Sequence, residues 1–177
     1  MALALFSTKG YEATSLREIA EHLGISKASL YYHFKSKEDI VTSQMSSRGD
    51  EAAELLAWTR AQEPGPDPME RTVLRWVDAT TIDKLRGIRF INANPALMRT
   101  LSRGSGVGTL RDSLSEVASY LAGDDAGPAR LLLVRMALLS INTAASAAAG
   151  TGCTDEGIVA SAKRLAHALL GELRSIS

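Results

Sequence analysis

The sequence predicts an all-α chain, with a small N-terminal three-helix unit built on a helix-turn-helix and a larger helical part after it. Three observations carry this prediction. No segment shows strong period-two alternation of apolar residues. Helix-capping residues recur ahead of apolar residues spaced three and four apart. Clusters of glycine and proline separate these stretches.

Phe6 and Tyr11 lie on and just after a short first helix, and cover one side of a small core. Ser15-Leu-Arg-Glu18 fits a capping box, in which the hydroxyl accepts from a first-turn N–H and the carboxylate reaches back to the cap. The helix it opens carries Leu16, Ile19, Ala20 and Leu23 on one face, and Gly24 ends it. Ser26 caps a second short helix, Lys27 to about Phe34, with Leu30 and Phe34 inward. Residues 15–34 therefore read as helix, turn, helix. Ser36 and Asp39 start a long helix to about Ala61 that tolerates Gly49.

The run EPGPDP, Glu63 to Pro68, breaks the pattern. Beyond it, Met69 to about Thr80 carries Val73, Trp76 and Val77, and Ile82 to about Ala93 carries Leu85, Ile88 and Ile91. Asn94-Pro95 opens a short helix, SRGSGVG (Ser102 to Gly108) is a loop, and Leu110 to Leu121 is amphipathic. After the loop AGDDAGP come two long helices, about Pro128 to Ala149 and Thr154 to Ile176. The first of these is apolar on more than one face, as expected of a helix buried on several sides, a subunit interface being one candidate.

Composition narrows the function classes. Of 177 residues, 45% are hydrophobic, which favours a folded chain over a disordered one. One cysteine, Cys153, cannot form an intrachain disulfide. The N-terminus makes a poor signal peptide, and Arg135 and Asn142 interrupt the longest apolar stretch. A soluble cytoplasmic protein is expected. His22, His33 and His167 show no metal-ligand spacing with Cys153, and GSGVG lacks dinucleotide-binding spacing. No catalytic constellation is found; neither enzyme activity, cofactor nor metal is expected.

The net charge of +0 argues against a generic polyanion binder. Yet Lys27, His33, Lys35 and Lys37 lie in a stretch from Gly24 to Lys37 without an acid. On a helix with Leu30 and Phe34 inward, Lys27 and Tyr31 share one outward face, Ala28 and Tyr32 a second, and Ser29 and His33 a third. Lysine neutralises phosphates or reaches guanine acceptors, and tyrosine bonds phosphate while its ring packs on sugar or a thymine methyl. A groove of double-stranded DNA fits this face. Tyr32 has a second reading, packing against the helix after Ser36.

The stretch GYEATSLREIAEHLGISKASLYYHFKSKEDI, Gly10 to Ile40, resembles the TetR/AcrR family of transcriptional regulators. The resemblance implies an N-terminal domain (1–45) that binds operator DNA and a C-terminal domain (46–177) that binds a small-molecule effector. It implies a homodimer formed through the last two helices, and a repressor that leaves its operator when effector binds. It places Lys27, Ser29, Tyr31, Tyr32 and His33 at DNA-contacting positions, and Ser15, Arg17 and Lys37 at backbone-contacting ones. One departure is the start: family members carry a longer first helix, often after basic residues, so a truncated first helix is expected here. In the second domain, polar or aromatic groups within apolar helical stretches are candidate effector contacts: Trp76, Asn92, Arg135 and Asn142. A rival reading keeps the helix-turn-helix as the scaffold of a helical adaptor.

Overall fold

The structure, a computed structural model, describes residues 2–62, 67–101 and 107–176. Eleven helices and no strand occur among them. Three short ones form a head: α1 (Ala2–Lys9), α2 (Leu16–Leu23) and α3 (Lys27–His33). Helix α4 (Lys37–Arg60) leaves the head and runs for 24 residues, ~36 Å at the usual rise. The body follows as α5 (Pro68–Asp78), α6 (Ile82–Ala93), α7 (Pro95–Leu101), α8 (Val107–Ala122), α9 (Pro128–Leu138), α10 (Ser140–Ala147) and α11 (Asp155–Ser175).

The caps form as their chemistry dictates. Glu18 N–H donates to Ser15 Oγ at 3.2 Å, and Ser15 N–H donates to the Glu18 carboxylate at 2.9 Å, completing the capping box. Gly24 sits at φ 67°, a left-handed conformation that glycine adopts without a Cβ penalty. Ser26 Oγ accepts from Ser29 N–H, and Ser36 Oγ from Asp39 N–H. The Asp39 carboxylate accepts in turn from Lys35 N–H at 2.9 Å, so the α3–α4 turn is closed from both sides.

Burial explains the arrangement. Phe6, Tyr11, Ile19, Ala20 and Leu30 form the head core with Ile40, Val41 and Met45 of α4. Phe90 of α6 belongs to the same cluster, its ring centroid 5.4 Å from Phe6 and 5.9 Å from Tyr11. Helix α4 crosses the boundary expected at 45/46 unbroken, and beyond Gly49 its Ala52, Leu55 and Leu56 join the body core around Val73, Trp76, Val117, Val134 and Leu170. The helix is thus continuous between the two parts, while each part keeps its own apolar cluster. A third cluster joins Leu85 and Ile88 to Ile141, Ala145, Ile158 and Ala162. Asp155, in the first turn of α11, clasps α6 with both carboxylate oxygens. Oδ2 accepts from Arg86 Nε at 3.0 Å and Oδ1 from Arg89 Nη1 at 2.9 Å.

Three expectations are corrected. The helix expected from Pro128 to Ala149 is two helices meeting at 64°. Leu139 sits at φ −89°, ψ 9°, in the sparsely occupied region between helix and extended chain. The bend lets Val134 and Leu138 enter the body core while Ile141 and Ala145 enter the third cluster, which one straight helix could not do. Helix α8 begins at Val107, inside the expected loop; 102–106 lie outside the described residues. Asn94 does not cap α7 with its side chain: its amide donates to Phe90 O at 2.8 Å and closes α6 instead. Of the break at 63–68, Glu63 to Pro66 also lie outside the described residues, while Asp67 caps α5 by accepting from Glu70 N–H at 3.0 Å. No single described helix is long and apolar enough to cross a membrane.

Candidate nucleic-acid interface

Helix α3 is held by one buried side chain. Leu30 is 2% exposed in the head core, and Phe34, half-buried, closes the helix by donating its N–H to Leu30 O at 2.9 Å. Every other residue of α3 is exposed: Lys27, Ala28, Ser29, Tyr31, Tyr32 and His33. Tyr32 is 85% exposed, so it does not pack on α4 as its second reading would require. Its ring meets His33 edge-on at 5.1 Å. Lys27 Nζ lies 5.6 Å from the Tyr31 ring centroid, within cation–π range.

The other three candidates are engaged within the protein. Ser15 donates its hydroxyl hydrogen to the Glu18 carboxylate at 2.9 Å while capping α2. Arg17 Nε donates to Glu21 at 2.7 Å in an exposed pair, a weak tie that a phosphate can displace. Lys37 Nζ donates to Tyr11 O at 2.7 Å and Glu12 O at 3.5 Å, and sits 4.5 Å from the Tyr11 ring centroid. An ammonium has three donors, so Lys37 retains one N–H beyond the two that hold the turn after α1.

The acids flanking the patch are each held by a neighbour. Lys9 pairs with Glu18, Arg17 with Glu21, Tyr11 Oη donates to Glu38 at 2.6 Å, and Asp39 serves the Lys35 backbone. The positive charge of α3 is left uncancelled beside them. Lys35, exposed in the same acid-free stretch, belongs to this surface too; composition already pointed to it, but the motif match did not.

These pairs make head stability depend on pH. The hydrogen bond from Lys9, then that from the Ser15 N–H, holds the Glu18 carboxyl at about 2, below its ordinary 4.5. The Tyr11 hydrogen bond lowers Glu38 likewise. Depressed carboxyls contribute stability above the unfolded value, about 4.3, and lose it as pH falls through the folded one. Burial, then the bond to Glu38, raises Tyr11, whose contribution is complete below its ordinary 10.0 and fades above it. The urea midpoint is expected to be flat between these limits and to fall on both sides. Tyr11→Phe should lower the plateau and flatten the alkaline limb; an unchanged alkaline limb would remove Tyr11 from this account.

Behind the head lies a cavity of about 620 Å³, and all four candidate effector residues line it: Trp76 from α5, Asn92 from α6, Arg135 from α9 and Asn142 from α10. Trp76 is 3% exposed, with the Arg48 guanidinium 4.4 Å from its ring centroid. Asn92 Nδ2 donates to Ser146 Oγ and Arg135 Nη2 to Ser115 Oγ, both at 3.0 Å. Sequence reasoning missed the contributions of α1 and α4, namely Ala2, Leu3, Gln44, Met45 and Arg48. A second cavity, about 690 Å³, lies between Thr59, Met69, Tyr120 and Leu170, and holds none of the four.

Residues 1–43 match the family described as bacterial regulatory proteins, tetR family. The biofilm-operon negative transcriptional regulator IcaR of Staphylococcus aureus (strain Newman) is 59% identical over 39 residues, 22% of this chain and 21% of IcaR. The transcriptional regulator AcrR of Shigella flexneri is 35% identical over 88 residues, 49% of this chain and 40% of AcrR. The chain thus matches less than half the length of either relative. A crystal structure of a Mesorhizobium loti protein, described as a TetR-family transcriptional regulator, superposes with a TM-score of 0.62 at 23% identity, covering 96% of this chain and 91% of that one. That likeness speaks for the fold; residues 1–43, with their capped helices and outward α3, are similar to the N-terminal part of the bacterial regulatory proteins of the tetR family.

Proposed function

We propose that the protein is a sequence-specific DNA-binding transcriptional regulator, a cytoplasmic repressor released from its operator by a small-molecule effector. The observation that carries this reading is the outward face of α3, where Lys27, Ser29, Tyr31, Tyr32 and His33 are all exposed while one leucine anchors the helix. An exposed tyrosine pair on a capped basic helix suits a major groove and its phosphates. The free N–H groups at the start of α2 suit a phosphate as well, with Arg17 and the remaining donor of Lys37 alongside; Ser15 contributes as the cap that presents them. In this reading residues 1–45 act as the DNA-binding part and 46–177 as the effector and dimerisation part.

Support for a homodimer comes from α9. Leu132, Met136 and Leu139 are 57%, 44% and 40% exposed and follow an i, i+4, i+7 spacing, an apolar strip unusual for a free surface. It lies on a helix packed against α11, consistent with pairing through the C-terminal helices. Two heads then engage half-sites about 34–36 Å apart. The cavity touches α1, α4 and α6 at once, so an occupant that prefers one head-to-body arrangement shifts the dimer toward it.

Selection of DNA from a random pool by the full chain tests the reading. An inverted repeat of two half-sites is expected, with affinity falling steeply as salt rises. Absence of any enriched sequence would sink it and favour the adaptor.

A further inference from the structure

The cavity carries a charge imbalance. Its walls are largely apolar, with Trp76, Ile88, Ile91, Leu114 and Leu138 among the lining residues. Four cations line it as well, Arg48, Lys84, Arg111 and Arg135, against one lining acid, Asp83. Glu51 supplies a second acid from behind: its Oε2 accepts from both Arg48 Nη1 and Lys84 Nζ at 3.0 Å, so two cations share one carboxylate oxygen. From α8 and α9, Arg111 and Arg135 have no carboxylate within ion-pair distance among the described residues. Among the described residues Arg135 donates to Ser115 Oγ, itself a lining group. Four positive charges thus face two negative ones around an apolar space. Apolar walls strengthen such a field; burial lowers the Arg48 pKa, and the pair with Glu51 opposes that shift.

We propose that this cavity takes a carboxylate-headed amphiphile, its head group against Arg111 and Arg135 and its apolar chain along Trp76, Ile88 and Leu138. Guanidinium groups suit the head, since each offers paired N–H donors matched to a carboxylate. A volume of about 620 Å³ lies within the usual range for a small-molecule site. The inference rests on the effector-site reading above and adds the sign and shape of the ligand to it.

Trp76 can report binding. The chain has two tryptophans, so Trp58→Phe leaves Trp76 alone in the full-length protein. Its fluorescence is titrated with three ten-carbon probes: decanoate, decanol and decyltrimethylammonium. Decanoate is expected to bind about tenfold more tightly than decanol, with the ammonium weakest. The double variant Arg111→Gln, Arg135→Gln, both exposed positions, should lower decanoate to the affinity of decanol and leave decanol unchanged. Equal binding of decanoate and decanol, or tightest binding of the ammonium, overturns the anionic preference and leaves the effector site standing. A preference for decanoate that survives the double variant overturns the assignment of its head group. If none of the probes binds, the effector-site reading falls as well.

Discussion

Phe90→Ala is expected to destabilise the protein by about 3–5 kcal/mol, a fall in Tm of roughly 6–20 °C for a chain of this size. Phe90 is 2% exposed, and its ring fills the space against Phe6 and Tyr11. Among the described residues, truncation removes the one α6 side chain that is a buried member of the head cluster. The effect should be uneven. One of the α6 contacts between head and body is lost while Ile91 remains, so the head is expected to melt ahead of the body. Thermal unfolding followed by circular dichroism, with Trp76 fluorescence for the body, separates the two. Phe90→Leu, which keeps most of the volume, should cost far less. A single transition within a degree or two of the parent would show that Phe90 does not bind the two parts together.

Tyr31→Ala is expected to weaken binding to the selected operator by about 10- to 100-fold, the range of one to two well-made contacts, with no loss of stability. The side chain is 44% exposed and is not part of the head core, so a stability change beyond about 0.5 kcal/mol is not expected. Lys27→Ala beside it should act differently, weakening binding to all sequences and lowering the salt slope by about one contact. Fluorescence anisotropy at several salt concentrations distinguishes them. Parent-like affinity of the tyrosine variant on the enriched sequence would remove Tyr31 from the interface, whatever the rest of α3 does.

Much of the head was legible because its signals are local. Ser15 with Glu18, Gly24, Ser26, and Ser36 with Asp39 each act within four residues, and a cap forms wherever its hydroxyl meets its N–H. The body was legible only element by element. The sharp turn at Leu139 has no proline or glycine to announce it; it follows from two cores that α9 and α10 serve separately. Lys37 shows the same limit at one side chain: its charge is plain in sequence, but its direction depends on carbonyls 25 and 26 residues earlier. The cavity extends this to a site. Trp76, Asn92, Arg135 and Asn142 stand out in sequence as polar or aromatic groups in apolar stretches, a property that needs no neighbours. Leu3, Met45 and Arg111 do not, and become lining residues only once α1, α4 and α8 have been brought together.

The clasp between Asp155 and α6 has a mechanical consequence. Arg86 and Arg89 are three residues apart, about 4.5 Å along the helix axis, and each holds a different oxygen of one carboxylate. Sliding α6 stretches one bond before the other, and turning it swings both guanidinium groups away together. The helix is therefore keyed to α11 as a shaft is keyed to its hub: one setting engages both teeth, and small departures forfeit at least one. Both guanidinium groups are half exposed, so added salt weakens the two teeth together by screening them.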